Sequence, residues 1–454
     1  MNPLTMPPSA GIIGGAAAPA TRGLERTVAH PIGGASERSE VLGHDERAGE
    51  FSSPAPQRRV VTKRRGLTIG YVVDRFPRAS HDFVFQEILE LQSLGIEVNV
   101  FSLDMPDGRI DDTAIALARL EHPVRYFAAD AEPDVAHIRP VLDADATRAA
   151  IESRQAQWLA SQVTAGRIDH LHAHAATAPI DVAREAARLT SVGYSFTARA
   201  DGLDADGPSL RERIVDARFV VTPTDFERGH LLRLCGSEVA RKLHRVAVGI
   251  DPKEYRFSEP ECHDSNSVLA TGPLVPTSGF TDLIDAIAIL RARGRVVRLT
   301  IVGEGELEET LRAKIDREGL DHVQLLSGAS RGQLAMLMRM HTAVVVPWVG
   351  DAGDHDALAH VVLEAMAVGA VVLSTDRPGL RELIDDGLTG RVIGAGDPVG
   401  LSGALETLFE YRDLRERMAS RARAKVEKRF TAARNVSHLA GLFMDAVVKN
   451  GLAT

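Results

Sequence analysis

Cysteine is nearly missing from this chain: 454 residues contain two, Cys235 and Cys262. Two cysteines exclude a disulfide framework and have no metal-ligand spacing, so a reducing, cytoplasmic compartment is expected. Long apolar runs are missing too. No stretch reaches the roughly 20 residues that span a bilayer. The segment AGIIGGAAAPA is short and has no basic n-region, which makes it a poor signal peptide. An excess of cations is also lacking: the formal net charge is -9, against a general nucleic-acid binder.

What is present is enough for real cores, with 44% hydrophobic and 25% charged residues. The length predicts two domains and a tail. Residues 1–65 are rich in Ala, Gly, Pro, Ser and Arg without apolar periodicity, and read as a disordered tail. The tail closes on a basic cluster, Arg58, Arg59, Lys63, Arg64 and Arg65. That cluster has two readings: a solvated linker, or peripheral contact of segment 58–65 with an anionic membrane surface. From LTIGYVVD onward, apolar strand-like runs alternate with helix-like ones. In FPRASHDFVFQEILELQSLGIEVNVFSL, Ser80 is placed to cap a helix, Val84, Ile88 and Leu91 share one face, and Gly95 ends it. A polar, turn-rich stretch, DPKEYRFSEPECHDSNS, separates this series from a second one. The fold class predicted is α/β, with two doubly wound Rossmann-like domains over 66–250 and 251–454, the second including the terminal helices. Two such domains face each other across an interdomain cleft, a usual place for a ligand.

The chemistry is concentrated in GDAGDHDALAHVVLEAMAVGAVVLSTD. A strand ends at Val346-Pro347, a Gly/Asp-rich loop follows, and a helix is predicted to begin near Leu358. A helix start offers free N–H groups and the positive dipole end to a phosphate. Asp356, on the loop, and Glu364, in the helix, are eight residues apart. They can bond sugar or ribose hydroxyls, or be a helix cap and a solvated surface acid. His170, His172 and His174 alternate along a strand, so one face carries all three. That geometry admits a metal, as does the set Asp354, His355, Asp356 and His360. Gly303-Glu304-Gly305 is too short for a dinucleotide fingerprint and reads as a tight turn that lets backbone approach a nucleotide.

At this point the residues resemble a known family. DALAHVVLEAMAVG is similar to the acid-x7-Glu motif of family-4 retaining glycosyltransferases, which have the GT-B fold. VLATGPLVPTSGFTDLIDAIAIL is similar to that family's glycine loop. LTIVGEGELEETL is similar to its Gly-x-Gly turn, and LSTDRPGLRELIDDGLTGRVI, with Gly379 and Glu382, to its loop near the donor sugar. In the first half, HLHAHAATAPIDVAREAARL and YSFTARADGL resemble the subgroup that builds exopolysaccharides of the colanic-acid type. The resemblance spans about residues 67–445. It implies a nucleotide-diphosphate sugar held mainly by the second domain, a glycan or lipid-linked acceptor held mainly by the first, and retention at the anomeric carbon. Glu364 matches the ribose-contacting Glu, and Asp356 the acid that contacts the donor sugar. Backbone N–H groups near Ala357 and Leu358 would face the diphosphate, with Gly272, Gly303, Gly305 and Gly379 in the surrounding loops. No metal and no cofactor besides the donor substrate are implied.

Three positions depart from the family. Its glycine loop reads roughly Gly-Arg-Leu-x-x-x-Lys-Gly, whereas here Pro273 and Ser278 stand at the two cation positions. Losing two charge-assisted hydrogen bonds weakens a diphosphate by roughly 100-fold to 10,000-fold. Arg199 stands where the family has a cleft His, and it cannot act as an acid or base near neutral pH. Arg199 and Arg377 can instead bring relocated cations to the diphosphate. Two functions therefore compete: an active glycosyltransferase, and a catalytically degenerate relative serving as a binding or scaffold subunit in polysaccharide assembly. A GT-B nucleotide-sugar epimerase is a third, which the motif order disfavours.

Overall fold

The computed structural model describes residues 66–77, 82–106, 117–127, 144–174, 177–198, 207–258, 264–350 and 355–451. The expected tail and its basic cluster, Ser80, Arg199 and Cys262 lie outside them.

The alternating runs become two wholly parallel sheets. The first contains β1 (Thr68–Arg75), β2 (Glu97–Asp104), β3 (Arg125–Tyr126), β4 (His170–His174), β5 (Gly193–Thr197), β6 (Val220–Thr222) and β7 (Leu243–Arg245). Their order is β3-β2-β1-β4-β5-β6-β7. Strands β4 and β5 are buried along their whole length, because helices cover both faces of a parallel sheet. The helices are α1 (Asp82–Ser93), α2 (Ala144–Gly166), α3 (Thr177–Thr190), α4 (Gly207–Asp216) and α5 (Asp225–Cys235). As the spacing predicts, Val84, Ile88 and Leu91 on α1 are fully buried.

The second sheet contains β8 (Asp264–Thr271), β9 (Arg298–Val302), β10 (Val323–Leu326), β11 (His341–Val346), β12 (Val371–Thr375) and β13 (Arg391–Ile393), in order β10-β9-β8-β11-β12-β13. Its helices are α6 (Phe280–Ala292), α7 (Glu308–Arg317), α8 (Arg331–Met340), α9 (His355–Val368) and α10 (Pro378–Leu383). Three helices end the chain: α11 (Pro398–Glu410), α12 (Arg412–Arg429) and α13 (Ala432–Gly451).

The terminal helices correct the sequence reading. Leu405 and Leu408 of α11 and Val426 of α12 do join the second core. Helix α13 instead lays Val436, Leu439, Ala440 and Phe443 on the first sheet, beside α1 and against Ile69, Tyr71 and Val73. Leu439 and Phe443 are fully buried there, each contributing about 1.5–3 kcal/mol of apolar burial. The return path explains the switch. Ile250 N–H donates to the Phe430 carbonyl at 3.0 Å, and Ala432 N–H donates back to the Ile250 carbonyl at 2.9 Å. The chain thus crosses between the sheets twice, side by side.

In each sheet the strand order reverses once, between β1 and β4 and between β8 and β11. The carboxyl ends of strands at such a reversal flank the crevice where doubly wound folds bind ligands.

Candidate active site

At the second reversal, three loops are tied together by backbone. After β8 the chain runs from Gly272 through a short 3-10 turn, Pro276–Ser278, to Gly279 at the head of α6. Gly279 is left-handed (φ 71°), and a Cβ there would sit 1.8 Å from the Pro347 carbonyl oxygen. The loop after β11 is bonded to it, with Val349 N–H donating to the Thr277 carbonyl at 2.8 Å. The loop after β9 closes from the other side. Leu274 N–H donates to the Glu304 carbonyl at 2.8 Å, and Leu307 N–H to the Leu274 carbonyl at 2.9 Å. A Cβ on Gly303 would lie 1.9 Å from the Gly272 carbonyl oxygen, and one on Gly305 2.5 Å from that of Leu274. Glycine is thus required at both positions of the Gly-x-Gly turn by close backbone approach. Gly272, Gly303 and Gly305 meet in one knot. At the two missing cation positions, Ser278 is buried and its hydroxyl donates to the backbone carbonyl of Pro273.

Helix α9 begins at His355, one turn before the Leu358 expected. Asp356 is therefore not on the loop but in the first helical turn with Ala357. An eight-residue separation on one helix places Asp356 and Glu364 about 12 Å apart along the axis. The first four N–H groups of α9 reach through Leu358, whose side chain is buried in the second core.

Glu364 is not a solvated surface acid; it is 6% exposed. The Tyr255 hydroxyl donates to its Oε1 at 2.6 Å, and Arg331 Nε lies 3.4 Å from the same oxygen. Arg331 also donates to the Tyr255 hydroxyl oxygen from Nε at 2.9 Å and Nη2 at 2.7 Å. Burial, and then the Glu364 charge, push the Tyr255 hydroxyl far above its usual range, so it stays protonated as a donor. Arg423 fixes the linker beneath, donating to the backbone carbonyls of Pro252, Tyr255 and Ala367. Neither Tyr255 nor Arg331 was singled out in the sequence. No local pattern joins Tyr255 to a carboxylate 109 residues away.

Arg377 precedes α10 and is 9% exposed; Gly379 is buried in the first turn of α10. Glu382, grouped by resemblance with the loop near the donor sugar, reaches the first domain. Its carboxylate accepts the N–H groups of Asp225 at 3.0 Å and Phe226 at 2.9 Å, the first turn of α5, and Arg245 at 3.1 Å.

At the first reversal the three histidines of β4 share one face, as the alternation predicts, and all are buried. His170 Nε2 and His172 Nδ1 flank the Ser195 hydroxyl at 2.8 and 2.7 Å. His172 Nε2 is 3.0 Å from the Thr197 hydroxyl, and His174 Nε2 is 3.0 Å from Glu87 Oε1. Ligand atoms of Glu87, His172 and His174 lie within 4.8 Å of one another. Both His172 nitrogens are already spent on hydroxyls, so a metal would have to break those bonds. Across the cleft, Phe83 of α1 meets His360 of α9, with ring centroids 6.2 Å apart.

Residues 251–425 match the family described as glycosyl transferases group 1. The amylovoran biosynthesis glycosyltransferase AmsK of Erwinia amylovora is 28% identical over 42% of this chain and 48% of its own length. The chain thus spans about half of that relative. The phosphatidyl-myo-inositol mannosyltransferase of Mycolicibacterium smegmatis is 25% identical over 80% of this chain and 89% of its own. Among solved structures, Anabaena Alr3699/HepE in complex with UDP-glucose superposes with a TM-score of 0.65 and 19% identity, covering 84% of this chain and all of that one. Among the described residues no helix is long and apolar enough to cross a membrane. Residues 251–425 are a group 1 glycosyltransferase domain, set in a chain of two Rossmann-like domains with the GT-B architecture.

Proposed function

We propose that this chain transfers a sugar from a nucleotide-diphosphate donor to a glycan or lipid-linked acceptor, with retention, in exopolysaccharide or cell-envelope glycan synthesis. One observation carries the reading: the interlocked Gly272, Gly303 and Gly305 backbone lies at the strand-order reversal of a domain matched to glycosyltransferases. The names of the Erwinia and Mycolicibacterium relatives support the acceptor classes, and the UDP-glucose of the Anabaena complex supports the donor class.

In this reading Glu364 takes the ribose and Asp356 the donor sugar. Breaking the anomeric C–O bond leaves charge on the departing diphosphate, which preorganised donors stabilise. The N–H groups of Ala357 and Leu358 and the first-turn dipole of α9 supply that, with Arg377 and Arg199 as relocated cations. No metal or further cofactor is invoked. The basic segment 58–65 would hold the protein at the cytoplasmic face of an anionic membrane.

Calorimetry with UDP, GDP and their sugar conjugates at low salt tests the donor site. Micromolar binding by one of them, weakened roughly tenfold or more by Glu364→Ala, is the expected outcome. Absence of heat with every nucleotide at millimolar concentration would overturn the reading.

A further inference from the structure

His174 closes β4 at the strand-order reversal of the first domain, and it is 1% exposed. Its two ring nitrogens differ. Nε2 is 3.0 Å from Glu87 Oε1, which also accepts the Tyr71 hydroxyl at 2.5 Å. Burial holds the Tyr71 hydroxyl well above its usual range, so Tyr71 stays a donor and Glu87 an acceptor. A carboxylate acceptor at Nε2 fixes the proton there and leaves a lone pair on Nδ1. Nδ1 is buried and has no hydrogen-bond partner among the described residues. An unsatisfied buried acceptor is costly, and such groups ordinarily have a partner.

His174 lines a cavity of about 40 Å³ together with Glu87, Thr197, Phe83 and Gly249. That volume holds about one to three waters, or one hydroxyl-bearing corner of a sugar, but not a whole ring. Its walls come from the first domain and from the paired crossover, with Ala432 and Val436 of α13 completing them. Phe83, in edge contact with His174 at 5.8 Å, also reaches His360 on α9. The cavity therefore adjoins the face of the first domain that looks toward the acid-bearing helix.

We infer that this cavity admits a hydroxyl of a sugar acceptor, which donates its hydrogen bond to His174 Nδ1 while Glu87 fixes the ring from the other side. The inference rests on the transferase reading and adds the residues that seat its acceptor. It assigns binding and orientation, with no proton transfer to His174.

Saturation-transfer NMR on the full chain tests it, with methyl α-glucoside, α-galactoside and α-mannoside at tens of millimolar. At least one glycoside is expected to bind. His174→Ala and His174→Gln should weaken it about tenfold, the loss of one hydrogen bond. His174→Asn, whose Oδ1 falls near the position of Nδ1, should stay within about threefold of the parent. Failure of every glycoside to bind, equal binding by all variants, or an Asn variant as weak as Ala would overturn the inference. Should the Ala variant fail to fold, the contrast between Asn and Gln decides. UDP calorimetry on the same samples separates the two readings. UDP binding without glycoside binding removes only the acceptor subsite, and glycoside binding without UDP binding removes only the donor assignment.

Discussion

His170 and His172 carry no room for a proton. Burial, then the Arg218 charge, lowers the His170 pKa to about 3. Burial, then His174 and His170, lowers that of His172 well below its usual value. In the unfolded chain a histidine titrates near about 6.5. Between the two values the unfolded state binds the proton and the folded state does not. This contribution to stability is therefore complete above the unfolded value and lost as pH falls below it. For His170 the loss by about pH 5 is about 2 kcal/mol. Urea midpoints should fall between about pH 7 and about pH 5, and fall less in His170→Asn. Equal falls in both proteins would show that His170 does not titrate this way. The shared face of these histidines was legible, because alternation in HLHAH fixes it. The burial of Glu364 was not. Helical spacing places it on a face, but its partner Tyr255 comes from the linker, 109 residues away.

The three glycine loops behave as one element because backbone fills the space where side chains would stand. A Cβ on Gly303 meets a carbonyl oxygen, and no rotamer relieves a clash between main-chain atoms. Gly303→Ala should destabilise the fold by about 2 kcal/mol or more and weaken nucleotide binding at least about tenfold. Gly403 in α11 has nothing within 4 Å of its added Cβ, so Gly403→Ala should be neutral or gain up to about 1 kcal/mol. Thermal melts with and without UDP read both effects, and similar behaviour of the two variants would refute the interlock. The loops were legible as turn-rich breaks between apolar runs. Their interlocking was not, since contact between loops depends on strand order. The start of α9 moved for a simpler reason: polar His355 and Asp356 leave no mark on an apolar periodicity.

Between the domains, Glu382 from α10 caps the first turn of α5 and pairs with Arg245, which also lies 3.2 Å from Asp225. Side-chain acceptors at a helix start contribute about 0.5–2 kcal/mol. Here that energy holds one domain to the other. Glu382→Ala should widen the interdomain distance distribution in small-angle scattering and lower the melting midpoint. An unchanged scattering profile would show that the capping contact does not restrain the cleft. The two Rossmann-like units were legible from the alternation, but the seat of α13 was not. Its apolar stripe of Val436, Leu439 and Phe443 announces that a face is buried without saying on which sheet. The seat of α13 bears on the order of synthesis. The strands of the first domain leave the ribosome early, yet Tyr71 and Phe219 lack the Phe443 ring against them until α13 follows them out. The half of the molecule made first is sealed last, and until then it must wait with one flank of its sheet open to whatever else is in the cell.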